Sequence, residues 1–354
     1  MMGKQRLVFL GFNSMLVHKR GVENVIHFQS QASPADLNYY IFWDAQTAVR
    51  RYENLICVGI KKNMFWFVAL NVVLLKLKRK KCKIFIHSHN PLMSIMSFFQ
   101  TDLFTVHDGL YYLTTATKHK LNVFFWLLEK LLYLRCSFVH FISEYAKKMS
   151  LYKSDKNYEI IANTSHFEVV NIDGFSDNNL RRFDIDVTKV FTVRSIEERA
   201  LINLIIEVAG KLKNSKIEFF IAGKGPLLDF YRERIEKLEL KNITLLGYVS
   251  DKDLLYYYND CDIVLIPAAY GEGFGLPIIE GYFFDKPVIA SNVCAIPEVI
   301  ISEDFLFENT CDSVLSKLNF AKEMTHIKYR KHYDDFFSNK VVLSQMLALY
   351  KKLL

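Results

Sequence analysis

The chain has 354 residues, 51% hydrophobic and 23% charged, with 29 Phe and 19 Tyr against only 14 Gly and 7 Pro. That balance supplies a core for about two domains and excludes a disordered, collagen-like or linker-type chain. The net charge of +7 is uneven: residues 1–170 hold 22 Lys/Arg against 11 Asp/Glu, and residues 171–354 hold 23 against 27, so a basic half suited to an anionic partner precedes a mildly acidic one.

In chain order, the opening MMGKQRLVFLGF carries an apolar run too short for a secretory leader and reads as a first buried strand at 7–11. Further strands are expected at 55–58, 83–87, 103–106 and 137–142, and helices at 22–29, 64–78 and 121–134. The longest apolar run, 64–75, contains Asn71 and is too short to span a hydrocarbon core of about 30 Å. It abuts Lys76, Lys78, Arg79, Lys80, Lys81 and Lys83, a pattern that suits either an anionic membrane face or a buried helix with a solvated basic end. The six cysteines, at 57, 82, 136, 261, 294 and 311, lack CxxC spacing, which argues for a reducing compartment and against a zinc ribbon or disulfide scaffold.

The second half is more regular. Short apolar strands at 190–193, 217–222, 243–246, 263–267 and 287–290 alternate with helices at 201–212, 227–238, 253–259 and 277–284. Such alternation predicts an α/β domain with a buried parallel sheet, whose ligands bind at the carboxyl ends of its strands. The polar stretch 171–189 reads as a linker, and 340–354 as a closing helix without Gly or Pro.

The most informative segment is Pro267-Ala-Ala-Tyr-Gly-Glu-Gly-Phe-Gly-Leu-Pro-Ile-Ile-Glu280. A buried strand runs into a glycine-rich turn and then a helix opening near Pro277. Gly273 and Gly275 allow close backbone approach, and a helix N-terminus offers N–H donors to an anion. Glu272 and Glu280 flank that nest of donors, an arrangement suited to a polyhydroxylated ligand carrying phosphate.

Here the sequence resembles the retaining glycosyltransferases of family four. Glu272 and Glu280, with seven residues between them including Gly-Phe-Gly-Leu-Pro, match that family's signature. Val193-Arg194-Ser-Ile-Glu-Glu-Arg199 matches its Gly-Arg-(four residues)-Lys segment, with Arg199 at the lysine position. Ala222-Gly223-Lys224-Gly225-Pro226 matches its Gly-x-Gly-Pro turn; Pro287–Ser291 and Ile296-Pro297-Glu298 match its closing segment. In the first half, His107-Asp108 after an apolar strand, Phe141-Ile142-Ser143-Glu144, and Gly21-Val22-Glu23, where Arg20 stands in place of a glycine, resemble it more weakly.

The resemblance implies a GT-B fold: two Rossmann-like domains facing a cleft. An acceptor-side domain would cover 1–170, a linker 171–189, a nucleotide-sugar domain 190–339, and 340–354 a helix crossing back to the first domain. It implies transfer of a hexose-type sugar from a nucleotide sugar, with retention, to a glycan acceptor such as a lipid-linked surface-polysaccharide precursor. Glu272 would accept hydrogen bonds from sugar hydroxyls, the backbone of Gly273, Phe274, Gly275 and Leu276 would hold the sugar's far edge, and Glu280 would take the ribose. Arg194 and Arg199 would bind the diphosphate near the Gly223 turn, and His107, next to Asp108, would sit at the sugar's reacting face.

Cations aimed at a departing nucleoside diphosphate stabilise charge that grows in the transition state, so neither cofactor nor metal is expected. The Asp-x-Asp triplets at 184–186, 251–253 and 260–262 read as caps and turns, and His87 and His89, alternating on a strand, as structural residues facing opposite ways. The rivals are a nucleotide-sugar epimerase or hydrolase of the same fold, and a non-catalytic nucleotide-sugar-binding subunit. The basic residues lack the interleaved aromatics of a nucleic-acid module. The expected place is the cytoplasm, in peripheral contact with the inner face of the cell membrane.

Overall fold

A computed structural model describes residues 4–15, 21–78, 82–116, 120–168 and 187–354. Arg20, Arg79, Lys80, Lys81, the triplet at 184–186 and the expected linker up to residue 186 lie outside them. The chain divides into two compact units, Met1–Thr164 with Asn339–Leu354, and Ser165–Ser338.

Unit 1 contains β1 (Lys4–Leu10), α1 (Val22–Gln31), β2 (Leu37–Asp44), β3 (Ala48–Tyr52), β4 (Leu55–Lys61), α2 (Trp66–Leu77), β5 (Cys82–Ser88), α3 (Pro91–Met96), β6 (Thr101–Val106), α4 (Leu110–Ala116), α5 (Asn122–Leu134), β7 (Cys136–Phe141), α6 (Glu144–Met149) and β8 (Tyr158–Ile160). Its sheet runs β3-β4-β2-β1-β5-β6-β7-β8, parallel except for the antiparallel edge strand β3. Unit 2 contains β9 (Thr188–Val193), α7 (Ile202–Lys211), β10 (Ile217–Ala222), α8 (Leu228–Lys237), β11 (Ile243–Gly247), α9 (Asp251–Asp260), β12 (Ile263–Ile266), α10 (Leu276–Phe283), β13 (Val288–Ser291), α11 (Ile296–Val299), β14 (Leu306–Phe307), α12 (Cys311–Glu323) and α13 (Tyr329–Phe336). The last helix, α14 (Asn339–Leu353), returns to unit 1.

The sheet of unit 2 is wholly parallel, in the order β11-β10-β9-β12-β13-β14. Helices cover both faces of such a sheet, which is why Ile263–Ile266 is apolar at every position and buried throughout. Strand order reverses between β9 and β12, and a crevice opens outside the carboxyl ends of strands at such a point. Unit 1 has the equivalent reversal between β1 and β5.

In unit 1, right-handed crossovers put α2, α3 and α5 on one face of the sheet and α1 on the other. The first face packs Val8, Ile41, Val58 and Ile86 against Leu70, Leu74 and Met93. The second packs Leu7, Phe9, Tyr40 and Phe85 against Ile26 of α1 and Val342, Met346, Leu349 and Tyr350 of α14. Asn71, which interrupts the long apolar run, is buried and bonds the carbonyls of Phe67 and Met96 and the N–H of Phe98. All six thiols are free. Among the described residues, no helix is long and apolar enough to cross a membrane.

Candidate active site

The two reversal strands of unit 2 deliver the charged residues. Arg194 follows β9 directly; its backbone N–H donates to Ala222 at the end of β10, 3.0 Å away. Its guanidinium Nη1 donates to the carboxylate Oε2 of Glu272, in the turn after β12. Both side chains are largely shielded, at 6% and 15% exposure. Arg199 approaches the same turn from another direction: Nη1 donates to the Gly271 carbonyl at 2.7 Å and Nε to Glu197 at 3.3 Å, while the Arg199 carbonyl accepts from Ala269 N–H at 2.9 Å. Two arginines from the β9–α7 connection thus converge on Gly271-Glu272. A buried guanidinium keeps its charge, so a paired carboxylate is the inexpensive way to hold it in place.

The turn is braced from behind. Ser291 Oγ donates to Asn309 and accepts from Ala268 N–H, Asn309 Nδ2 donates to the Ala268 carbonyl at 3.0 Å, and Glu272's own carbonyl accepts from Ala295. Gly275 lies at φ 101 and opens α10, whose N-terminus has no side-chain cap, leaving the dipole's positive end to an anion. Phe274 turns its ring inward against Phe337, centroids 6.0 Å apart.

The second glycine turn is sterically obligatory. A Cβ on Gly223, at φ 149, would lie 1.7 Å from the Arg194 carbonyl oxygen, and one on Gly225 would lie 2.1 Å from that of Ile196. The turn after β10 therefore presses backbone to backbone against the segment that carries the arginines. Lys224 projects outward, its Nζ 4.2 Å from the centre of the Tyr248 ring.

Glu280 is buried on α10. Tyr258 Oη donates to its Oε2 at 2.7 Å, and His166 Nδ1 lies 3.5 Å from Oε1, with His166 Nε2 4.0 Å from Asp251. His166 and Tyr258 carried no sequence signal, because they reach Glu280 only through folding. The triplet at 251–253 opens α9, with Ser250 Oγ accepting from Asp253 N–H. In the triplet at 260–262, Asp260 pairs with Lys189 Nζ and Asp262 accepts from Lys189 N–H.

His107 and Asp108 belong to unit 1, after β6. His107 Nε2 lies 2.9 Å from His89 Nδ1. Burial, with His140 nearby, holds His107 down to about 3, so it acts as a neutral hydrogen-bonding group. The strand-alternation reading of His87 and His89 is corrected: β5 ends at Ser88, the backbone turns, and the two rings lie 4.8 Å apart. His87 instead bridges Tyr350 Oη at 2.8 Å and Thr105 Oγ1 at 2.7 Å, and Thr105 contacts His140 at 2.9 Å.

Residues 179–334 match the family model described as Glycosyl transferases group 1. The chain is 48% identical to O-antigen chain mannosyltransferase B of Escherichia coli over 58 residues, 16% of this chain and 15% of that protein. It is 38% identical over 86 residues to an uncharacterised 41.2 kDa protein in the cps region of Klebsiella pneumoniae, 24% of this chain and 22% of that one. The chain therefore aligns with less than a quarter of the length of these two relatives. Among solved structures, sucrose-phosphate synthase from Thermosynechococcus elongatus superposes with a TM-score of 0.79 at 15% identity over 99% of both chains. HepE of Anabaena, in complex with UDP and glucose, gives 0.77 at 14% identity, covering 98% of this chain and 99% of that one. These likenesses span nearly the whole chain and establish the fold as that of GT-B glycosyltransferases.

Proposed function

We propose that this chain, a family-four-type GT-B glycosyltransferase whose residues 179–334 match the group 1 family model, moves a hexose from a nucleotide sugar to a lipid-linked surface-polysaccharide glycan, with retention. One observation carries the reading: Arg194 and Arg199 converge on the Gly271-Glu272 turn at the carboxyl end of the reversal strands. In this reading the two guanidinium groups bind the diphosphate, the α10 N-terminus and Glu272 hold the sugar, and Glu280, oriented by Tyr258, takes the ribose hydroxyls. The bond from the sugar's C1 to the diphosphate oxygen breaks. The acceptor's hydroxyl oxygen bonds C1 from the same face and passes its proton to the departing phosphate oxygen. Negative charge grows on the leaving diphosphate, where cations and N–H dipoles stabilise it most. The arginines make a metal unnecessary in this scheme. His107 and Asp108 are the candidates on the acceptor-side unit.

A mannosyl donor is the first to test, because the relative matched at 48% identity is a mannosyltransferase. The enzyme works in this proposal as a peripheral protein on the inner face of the cell membrane, drawn there by its basic first half. The test is a thermal-shift screen of UDP-, GDP- and ADP-sugars, then transfer from the best donor to a lipid-linked glycan, with the anomeric configuration of the product read by NMR. An inverted product refutes retention. Sugar released without acceptor identifies a hydrolase, an isomerised donor an epimerase, and binding without turnover a non-catalytic subunit.

A further inference from the structure

We propose that unit 1 docks on an anionic lipid bilayer through the outer face of α5, with the exposed side of α2 and Phe98 laid alongside it. The inference deepens the membrane reading above by naming the surface, and it moves the main anchor away from the 64–83 segment that the sequence singled out. On α5, Val123, Phe124, Trp126, Leu127, Leu131 and Leu134 are all exposed, Val123 and Leu134 at 80%. Only Leu128, Glu129 and Leu132 of this helix are buried. A helix on a water-soluble surface turns its apolar stripe inward and its charges outward; α5 is apolar on both sides.

The surface is continuous. At the C-terminus of α5, Arg135 Nη2 donates to the carbonyls of Ser97 at 2.6 Å and Phe99 at 3.2 Å, on either side of the exposed Phe98. From the other direction, Asn71 of α2 accepts from Phe98 N–H at 2.6 Å and donates to the Met96 carbonyl at 2.9 Å. These bonds tie α2, the end of α3 and α5 into one band on one face of the sheet. Val68, Val72 and Leu75 of α2 are exposed along it. Unit 2 shows no such concentration among its described residues: its exposed large apolar side chains are Phe230 and Leu238, near opposite ends of α8, Tyr248 after β11, and Phe336 at the end of α13.

Charge selects the occupant. The three helices carry one carboxylate, Glu129, and it is turned inward, accepting from the N–H groups of Tyr111 at 2.7 Å and Leu151 at 2.8 Å. Their charged groups on the outside are Lys76 and Lys130, with Lys78 just beyond α2. Lys130 Nζ lies 5.3 Å from the Trp126 ring centre and Lys78 Nζ 5.0 Å from that of Phe99. Aliphatic and aromatic side chains interleaved with lysines and no exposed acid match the headgroup boundary of an anionic leaflet. A protein partner would be met by a rim of both signs with many hydrogen-bonding groups.

The experiment is co-sedimentation of the full chain with vesicles of phosphatidylcholine containing phosphatidylglycerol, and with phosphatidylcholine alone. A triple variant, Phe124→Ser with Trp126→Ser and Leu127→Ser, should bind the anionic vesicles on the order of tenfold or more weakly, with an unchanged unfolding midpoint because all three side chains are exposed. In a Trp43→Phe, Trp66→Phe background, Trp126 emission should shift to the blue on vesicles and be quenched by brominated acyl chains. Turnover on a soluble acceptor separates this proposal from the sugar-transfer reading: vesicle binding lost with turnover intact supports docking. Vesicle binding that survives the triple variant overturns it, whatever the turnover. So does a wild-type dimer, seen by light scattering, that the triple variant dissociates, because the face then belongs to a second copy.

Discussion

Unit 1 should lose stability steeply in mild acid, and the magnitude follows from four histidines. His87, His89, His107 and His140 are all held below their ordinary value, chiefly by burial, His140 to about 4 and His107 to about 3. Folded, they are neutral and mostly committed to partners: Tyr350, Thr105, the Ile161 carbonyl and each other. Unfolded, each binds a proton near pH 6.5. The unfolded chain therefore takes up more protons as pH falls, and the contribution to stability, complete above about 6.5, is lost on the way down until the folded groups also protonate. One pH unit below 6.5 each histidine costs on the order of 1 kcal/mol, so the four together cost several kcal/mol. That is comparable with the whole stability of an ordinary domain, about 5–15 kcal/mol. Trp43, Trp66 and Trp126 all lie in unit 1, so tryptophan emission in urea titrations reports on this unit alone. The urea midpoint should fall sharply between pH 7 and 5.5, and His89→Asn should reduce the slope by about one proton's worth. A midpoint flat across that range would refute the reasoning.

Glu272→Gln should cut transfer on the order of 10²–10³-fold, the usual loss when an interaction that tightens in the transition state is removed; more than half of wild-type activity would sink the assignment. Glu272→Ala should in addition lower the unfolding midpoint, because it leaves the Arg194 guanidinium shielded and without its carboxylate. Arg194→Ala and Arg199→Ala should both weaken nucleoside diphosphate binding in calorimetry, and unchanged affinity in both would put the diphosphate elsewhere. Tyr258→Phe, which removes the 2.7 Å bond to Glu280, should raise the donor KM with little change in kcat, the pattern of uniform binding; an equal fall in kcat would contradict a ribose role. Activity should survive a chelator, and loss restored by magnesium would revive a metal reading.

Much of unit 2 was legible because its signals are local. Most of its strands are short, largely apolar runs, and the 267–280 segment carries its strand end, turn and helix start within fourteen residues. Unit 1 was less so. The strand Leu37–Asp44 (LNYYIFWD) mixes polar and aromatic residues without clear periodicity, α3 is six residues long and β8 three, and such short elements are fixed by their neighbours more than by their own composition. Alternation misjudged His89 because it assumes that the strand continues, and the strand ends one residue earlier.

The arginine at the lysine position shows where family pattern and local physics part. From sequence, Arg199→Lys looks like a reversion to the usual residue and hence mild. In the structure Arg199 spends its fork on two partners, Nη1 on the Gly271 carbonyl and Nε on Glu197, while its own carbonyl accepts from Ala269. A lysine ammonium is a point charge on a flexible stem and cannot bridge those two groups in a fixed plane. Arg199→Lys should thus keep diphosphate affinity, which needs the charge, and lose kcat, which needs the Gly271-Glu272 turn held still beneath the sugar. Calorimetry and steady-state kinetics on the one variant separate the two. Affinity and kcat falling together would mean that Arg199 acts on the phosphates alone, and both unchanged would mean that the turn is held by Ser291, Asn309 and Ala295 without it.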